Sequence, residues 1–80
     1  MTRYIIGANI KRCRMAQGFK QETFAKEIGI SRIMLSRYEN GRSVLSSAKL
    51  ADIAKFLQVP VVILLSEAPT LKAPLVEEQL

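Results

Sequence analysis

Residues 21–41, QETFAKEIGISRIMLSRYENG, hold two short helical patterns with one break between them. In the first, Phe24, Ala25 and Ile28 share a face, since residues three and four apart are one helical turn apart. In the second, Leu35 and Tyr38 do the same, with Ser31 before them as a capping oxygen and Asn40-Gly41 after them as a stop. Gly29 lies between the patterns, where a residue without Cβ takes a positive φ and turns the chain sharply. Ala25 is small where a second helix has to cross closely.

The flanking sequence reads as a frame for this stretch. Residues 5–17 form a first helical pattern, with Ile6, Ile10 and Cys13 inward, Lys11, Arg12 and Gln17 elsewhere, and Gly18 as its end. The second helix is expected over residues 21–28. Lys20 stands at its cap position and cannot accept from the free amides, a loss of up to about 1 kcal/mol that Glu22 partly offsets through the helix dipole. A third helix is expected over residues 32–38, with Arg32, Ile33, Ser36, Arg37 and Asn40 on its other face. Residues 41–46 read as a loop, in which Val44 and Leu45 either fold inward or form an exposed patch. A fourth helix over residues 47–57 has the clearest period, an apolar stripe of Leu50, Ile53, Ala54 and Leu57 with Lys49, Asp52 and Lys55 outside it. Pro60 suits the first position of a short fifth helix, although VVILL (61–65) read alone fits a strand equally well.

A small residue, a glycine four positions on, and a bulky apolar residue six after that is the spacing of a helix-turn-helix. At Ala25, Gly29 and Leu35 the sequence resembles the Cro/C1-type (Xre-like) helix-turn-helix regulators, over roughly residues 5–65. The resemblance implies an all-α, lambda-repressor-like bundle of about five short helices and settles residues 61–65 as helical. It implies that residues 1–66 form the DNA-binding domain, while residues 67–80, with two prolines and no sustained period, read as a C-terminal tail, disordered or bound to a partner. It also implies roles. Arg32, Ile33, Ser36 and Arg37 would read base edges, and Gln21, Ser31, Asn40 and Arg42 would meet phosphates. Arg14 and Glu39 would form a structural ion pair. The sequence departs from the family's pattern at Lys20, at Leu45 in place of a proline, and at Ser47 in place of an apolar residue.

Those residue types suit the task. The major groove admits an α-helix and shows a distinct donor and acceptor pattern for each base pair. Guanidinium matches the guanine O6/N7 edge bidentately, serine meets either kind of edge, and an isoleucine offers apolar surface to a thymine methyl. A core position is the competing reading of Ile33, and an ordinary solvated cation that of Arg37.

Composition narrows the classes further. Eighty residues, 49% hydrophobic and 24% charged, fit one globular domain. Histidine is absent and Cys13 is the single cysteine, so neither a zinc site nor an internal disulfide is available, and Cys13 reads as a small buried hydrophobe. Nucleotide-binding glycine motifs and any Ser/His or Cys/His pair are absent, so neither an enzyme nor a cofactor is expected. The N-terminus lacks the apolar core of a signal peptide, and the longest apolar run, 59–65, is far short of the ~20 residues of a membrane span. A cytoplasmic location is expected.

The net charge is +5, unevenly placed. Residues 1–50 hold ten Lys/Arg against Glu22, Glu27 and Glu39, while residues 51–80 hold Lys55 and Lys72 against Asp52, Glu67, Glu77 and Glu78. The basic half points to a polyanion. Spread over several helices, the charge does not suit a membrane surface. The expected function is that of a sequence-specific regulator of double-stranded DNA, a repressor acting as a homodimer on a palindromic operator, with Val61, Val62, Ile63, Leu64 and Leu65 as the dimer seam. The alternative is a protein-interaction module, such as an antitoxin whose tail holds a protein partner.

Overall fold

The turn between the two central helices sets the architecture. In the computed structural model, which describes residues 2–67, Gly29 adopts φ +77° and the Ile30 amide donates to the Ala25 carbonyl at 2.9 Å, closing the end of one helix. Ser31 then starts the next, its Oγ accepting from the Met34 amide at 3.0 Å. Around this pair the chain forms α1 (Thr2–Ala16), α2 (Gln21–Glu27), α3 (Arg32–Glu39), α4 (Ser47–Leu57) and α5 (Val61–Leu65). Strands are absent among the described residues, and no helix there is long and apolar enough to cross a membrane.

The core draws on every helix. Ile10, Phe24, Leu35, Ile53, Leu57 and Leu64 are completely enclosed, with Ala25, Ile28 and Ala54 between them. Burial of each large side chain contributes about 1.5–3 kcal/mol relative to exposure. Phe19, Phe24 and Phe56 form a triangle of rings with centroids 5.2–6.0 Å apart, which locks the link between α1 and α2 onto α4. Cys13 is half-buried against this core.

Element boundaries follow local chemistry with a few exceptions. The fourth helix spans the expected residues, with Ser46 as its cap, Oγ accepting from the Lys49 amide at 3.1 Å. Lys20 makes no side-chain cap bond on α2. The first helix begins at Thr2, three residues ahead of expectation, because Tyr4 packs its ring into the space a side chain at Gly41 would fill. Pro60 is the N-cap of α5, with ψ 147°, and not its first helical residue. Leu45 packs against the core while Val44 is 71% exposed, so the two loop residues divide between the alternatives.

Polar side chains tie the helix ends together. Asn9, buried on α1, donates from Nδ2 to the carbonyls of Leu64 at 2.8 Å and Ser66 at 2.6 Å, holding the free end of α5. Gln17 donates to the Leu57 carbonyl at 2.7 Å, and Lys49 to the Ile28 carbonyl at 2.9 Å. These bonds close the ends of α4 and α2. Fixed in this way, α5 presents Val61, Val62, Ile63 and Leu65 outward and turns Leu64 inward. Leu64 therefore departs from the expected seam. It is 0% exposed within the single chain and has no surface left for a second copy. Residues 68–80, most of the expected tail, lie outside the described residues.

Candidate nucleic-acid interface

One helix presents the chemistry that the other four position. Leu35 is buried on the inner side of α3, so the opposite side faces solvent with Arg32, Ile33 and Arg37 exposed and Ser36 half-buried. Ile33 is 68% exposed, which removes the core reading of that residue. An exposed isoleucine between arginines leaves apolar area in water for no internal gain. Arg32 occupies the first turn of α3, where no acidic residue stands. A cation there opposes the positive end of the helix dipole. The same placement suits an approaching polyanion, to which both the dipole and the guanidinium are attractive.

A buried polar network holds this helix at its angle. Arg14 on α1 donates from Nε to Glu39 Oε2 at 2.6 Å and from Nη2 to Oε1 at 3.1 Å, a bidentate pair with side chains only 8% and 1% exposed. Its third nitrogen, Nη1, donates to the Phe19 carbonyl at 2.7 Å. Gln21 on α2 completes the cluster, donating from Nε2 to Glu39 Oε1 at 2.9 Å. One carboxylate at the end of α3 thus takes donors from both α1 and α2, and the helix cannot tilt without stranding a buried charge. Gly7 makes the approach feasible: a Cβ there would overlap the Tyr38 carbonyl oxygen. Two turns further along the same face of α1 is Arg14.

The expected phosphate contacts are placed differently from one another. Gln21 spends one Nε2 hydrogen on Glu39 and keeps the second. Ser31 accepts at Oγ from the Met34 amide, which leaves its hydroxyl hydrogen to donate. Arg42 is exposed in the loop after α3. Asn40 turns back on its own helix, with Nδ2 bonded to the Ser36 carbonyl at 2.9 Å and Oγ at 3.3 Å. In that rotamer its amide donors are both used locally, so it reaches a phosphate only by turning away from Ser36.

Arg37 is also restrained. Its Nε donates to Ser43 Oγ at 2.9 Å and its Nη2 to the Arg42 carbonyl at 3.3 Å. Sequence reading missed Ser43, Asn9, Gly7 and the bond from Gln21 to Glu39. A glycine at position 7, inside a helical pattern where it costs about 1 kcal/mol relative to alanine, is the one local signal among them.

A bundle whose second and third helices meet through a glycine turn, the third exposed along a cationic face, is a lambda-repressor-like helix-turn-helix domain. A sequence model of the family described as Helix-turn-helix matches residues 10–64, and the chain belongs to the Cro/C1-type helix-turn-helix regulators. It is 41% identical over 56 residues to an uncharacterised transcriptional regulator in the ATPase CF(0) region of Rhodospirillum rubrum, covering 70% of this chain and 52% of that protein. Against the antitoxin PezA of Streptococcus pneumoniae it is 51% identical over 49 residues, covering 61% of this chain and 30% of the antitoxin. The chain therefore spans about half of the first relative and under a third of the second. The crystal structure of the clp gene regulator ClgR from Corynebacterium glutamicum has a similar fold, with a TM-score of 0.78 and 29% identity over 81% of this chain and 69% of that one.

Proposed function

We propose that the chain is a sequence-specific regulator that binds double-stranded DNA, with residues 1–66 as the binding domain, and represses transcription as a homodimer on a palindromic operator. The observation that carries this reading is the solvent face of α3, where Arg32, Ile33, Ser36 and Arg37 stand clear of the core on a helix held from both sides. In this account α3 enters the major groove, Arg37 and Arg32 meet guanine edges, Ile33 meets a thymine methyl, and Ser36 meets either kind of edge. Gln21, Ser31 and Arg42 fix the register against phosphates, with Gln21 oriented by Glu39. A dimer places two such helices about one DNA turn apart. Val61, Val62, Ile63 and Leu65, together on a five-residue helix and all exposed, supply its seam.

Selection of bound sequences from random duplex DNA, with sedimentation of the free protein and of the complex, tests the reading. A two-fold symmetric motif with half-sites about one turn apart, bound by two copies, is expected. Binding without sequence preference, or one copy per motif, contradicts it.

The likeness to an antitoxin supports a second reading, in which a protein partner is also held. The two functions are compatible in one chain. Truncation after Ser66 separates them: DNA binding survives in both, whereas partner capture through residues 67–80 is lost.

A further inference from the structure

We infer that Ser43, outside the α3 helix, is a specificity-determining residue that acts by positioning Arg37. The inference rests on the reading of Arg37 as a base contact and deepens it. A guanidinium has two edges that can present a pair of parallel N–H bonds: Nε with Nη2, and Nη1 with Nη2. In the free protein the first of these is occupied from within. Nε donates to Ser43 Oγ at 2.9 Å, and Nη2 donates to the Arg42 carbonyl at 3.3 Å. The Nη1–Nη2 edge remains to face outward, which is the end-on fork that matches guanine O6 and N7.

The consequence is pre-organisation. An exposed arginine samples many rotamers, and fixing one on binding costs affinity. Here the loop fixes it beforehand. Ser43 suits the task because it is half-buried while Arg37 is exposed, so the anchor belongs to the loop and the cation to the surface. The anchor is itself held, because Leu45, two residues on, packs against the core and the Arg42 amide donates to the Arg37 carbonyl at 2.8 Å. The restraint also sharpens discrimination. A mobile arginine can turn to a phosphate when the guanine is replaced and recover part of its interaction, whereas a buttressed one cannot.

The test uses the full chain, with the site recovered by random-duplex selection and a variant of it in which the guanine assigned to Arg37 is replaced. Ser43→Ala is expected to lower affinity about three- to tenfold on the selected site, the range for restoring freedom to one long side chain, and to change binding to the replaced site much less. In an Arg37→Ala background, Ser43→Ala should have no further effect; with Arg37 in place, Ser43→Thr, which keeps the hydroxyl, should bind as wild type does. The Arg37 Nε–H resonance in free protein should exchange with solvent faster in Ser43→Ala while the thermal midpoint stays near wild type. Equal weakening of both sites, or an undiminished effect without Arg37, overturns the inference. If Arg37→Ala is selective for that base and Ser43→Ala is not, Ser43 alone loses its role. If Arg37→Ala is itself unselective, the base-reading assignment and this inference fall together.

Discussion

Replacing Gly7 by alanine sets two effects of opposite sign against each other. In a helix interior, alanine is favoured over glycine by about 1 kcal/mol, so local propensity alone predicts a more stable protein. Gly7 is buried, however, and faces the last turn of α3. An added Cβ would overlap the Tyr38 carbonyl oxygen and lie 2.9 Å and 3.0 Å from the Glu39 carbonyl oxygen and carbon. These are backbone atoms, so no rotamer change relieves the contact. Helix α1 has to move away from α3, and that movement draws Arg14 from Glu39. Overpacking of this kind costs about 1–3 kcal/mol, and weakening the buried pair adds to it. Less the propensity gain, overpacking leaves about 0–2 kcal/mol. With about 2 kcal/mol more from partial loss of the buried pair, Gly7→Ala is expected to destabilise by about 2–4 kcal/mol. Urea unfolding followed by circular dichroism measures this as a lower midpoint at an unchanged slope. A variant as stable as wild type, or about 1 kcal/mol more stable, would show that α1 and α3 do not approach this closely.

Other perturbations probe the network and the fifth helix. Arg14→Met should cost about 3 kcal/mol by leaving Glu39 buried without its cation, and adding Glu39→Leu should recover much of that; single and double variants melting with wild type would mean that the pair is exposed in solution. Leu64→Ala should destabilise the fold by about 2–5 kcal/mol, whereas Ile63→Glu should leave the thermal midpoint near wild type and shift sedimentation towards monomer. The reverse ranking of those two would put α5 the other way round.

Legibility in the sequence follows how local each signal is. The bounds of α4 could be read because its stripe of Leu50, Ile53, Ala54 and Leu57 carries the period without help from neighbours. Ser31 and Gly29 announced the turn before α3 through chemistry confined to one or two residues. The early start of α1 was hidden because Tyr4 is held by packing against Gly41, far along the chain. The run of residues 61–65 is apolar throughout, so no pattern within it marks Leu64 as the inward residue. Its orientation is set from α1, by Asn9 bonding to the carbonyls at the end of α5. Within the candidate interface the residue types on the α3 face were readable from helical spacing. The positions of Gln21 against Glu39 and of Arg37 against Ser43 depend on how helices and loop meet, which spacing does not encode.

In the proposed complex the solvent face of α3 reads bases, while its surroundings hold the helix in place and meet phosphates. Repeating the random-duplex selection with Arg37→Ala tests this most directly, because it reports on every position of the site at once. The wild-type motif is expected to return with one guanine per half-site no longer enriched and the other positions kept, at a cost of about 1–3 kcal/mol on the original site. Recovery of the unchanged motif at uniformly weaker affinity would make Arg37 a phosphate contact and would require α3 to enter the groove by a different face.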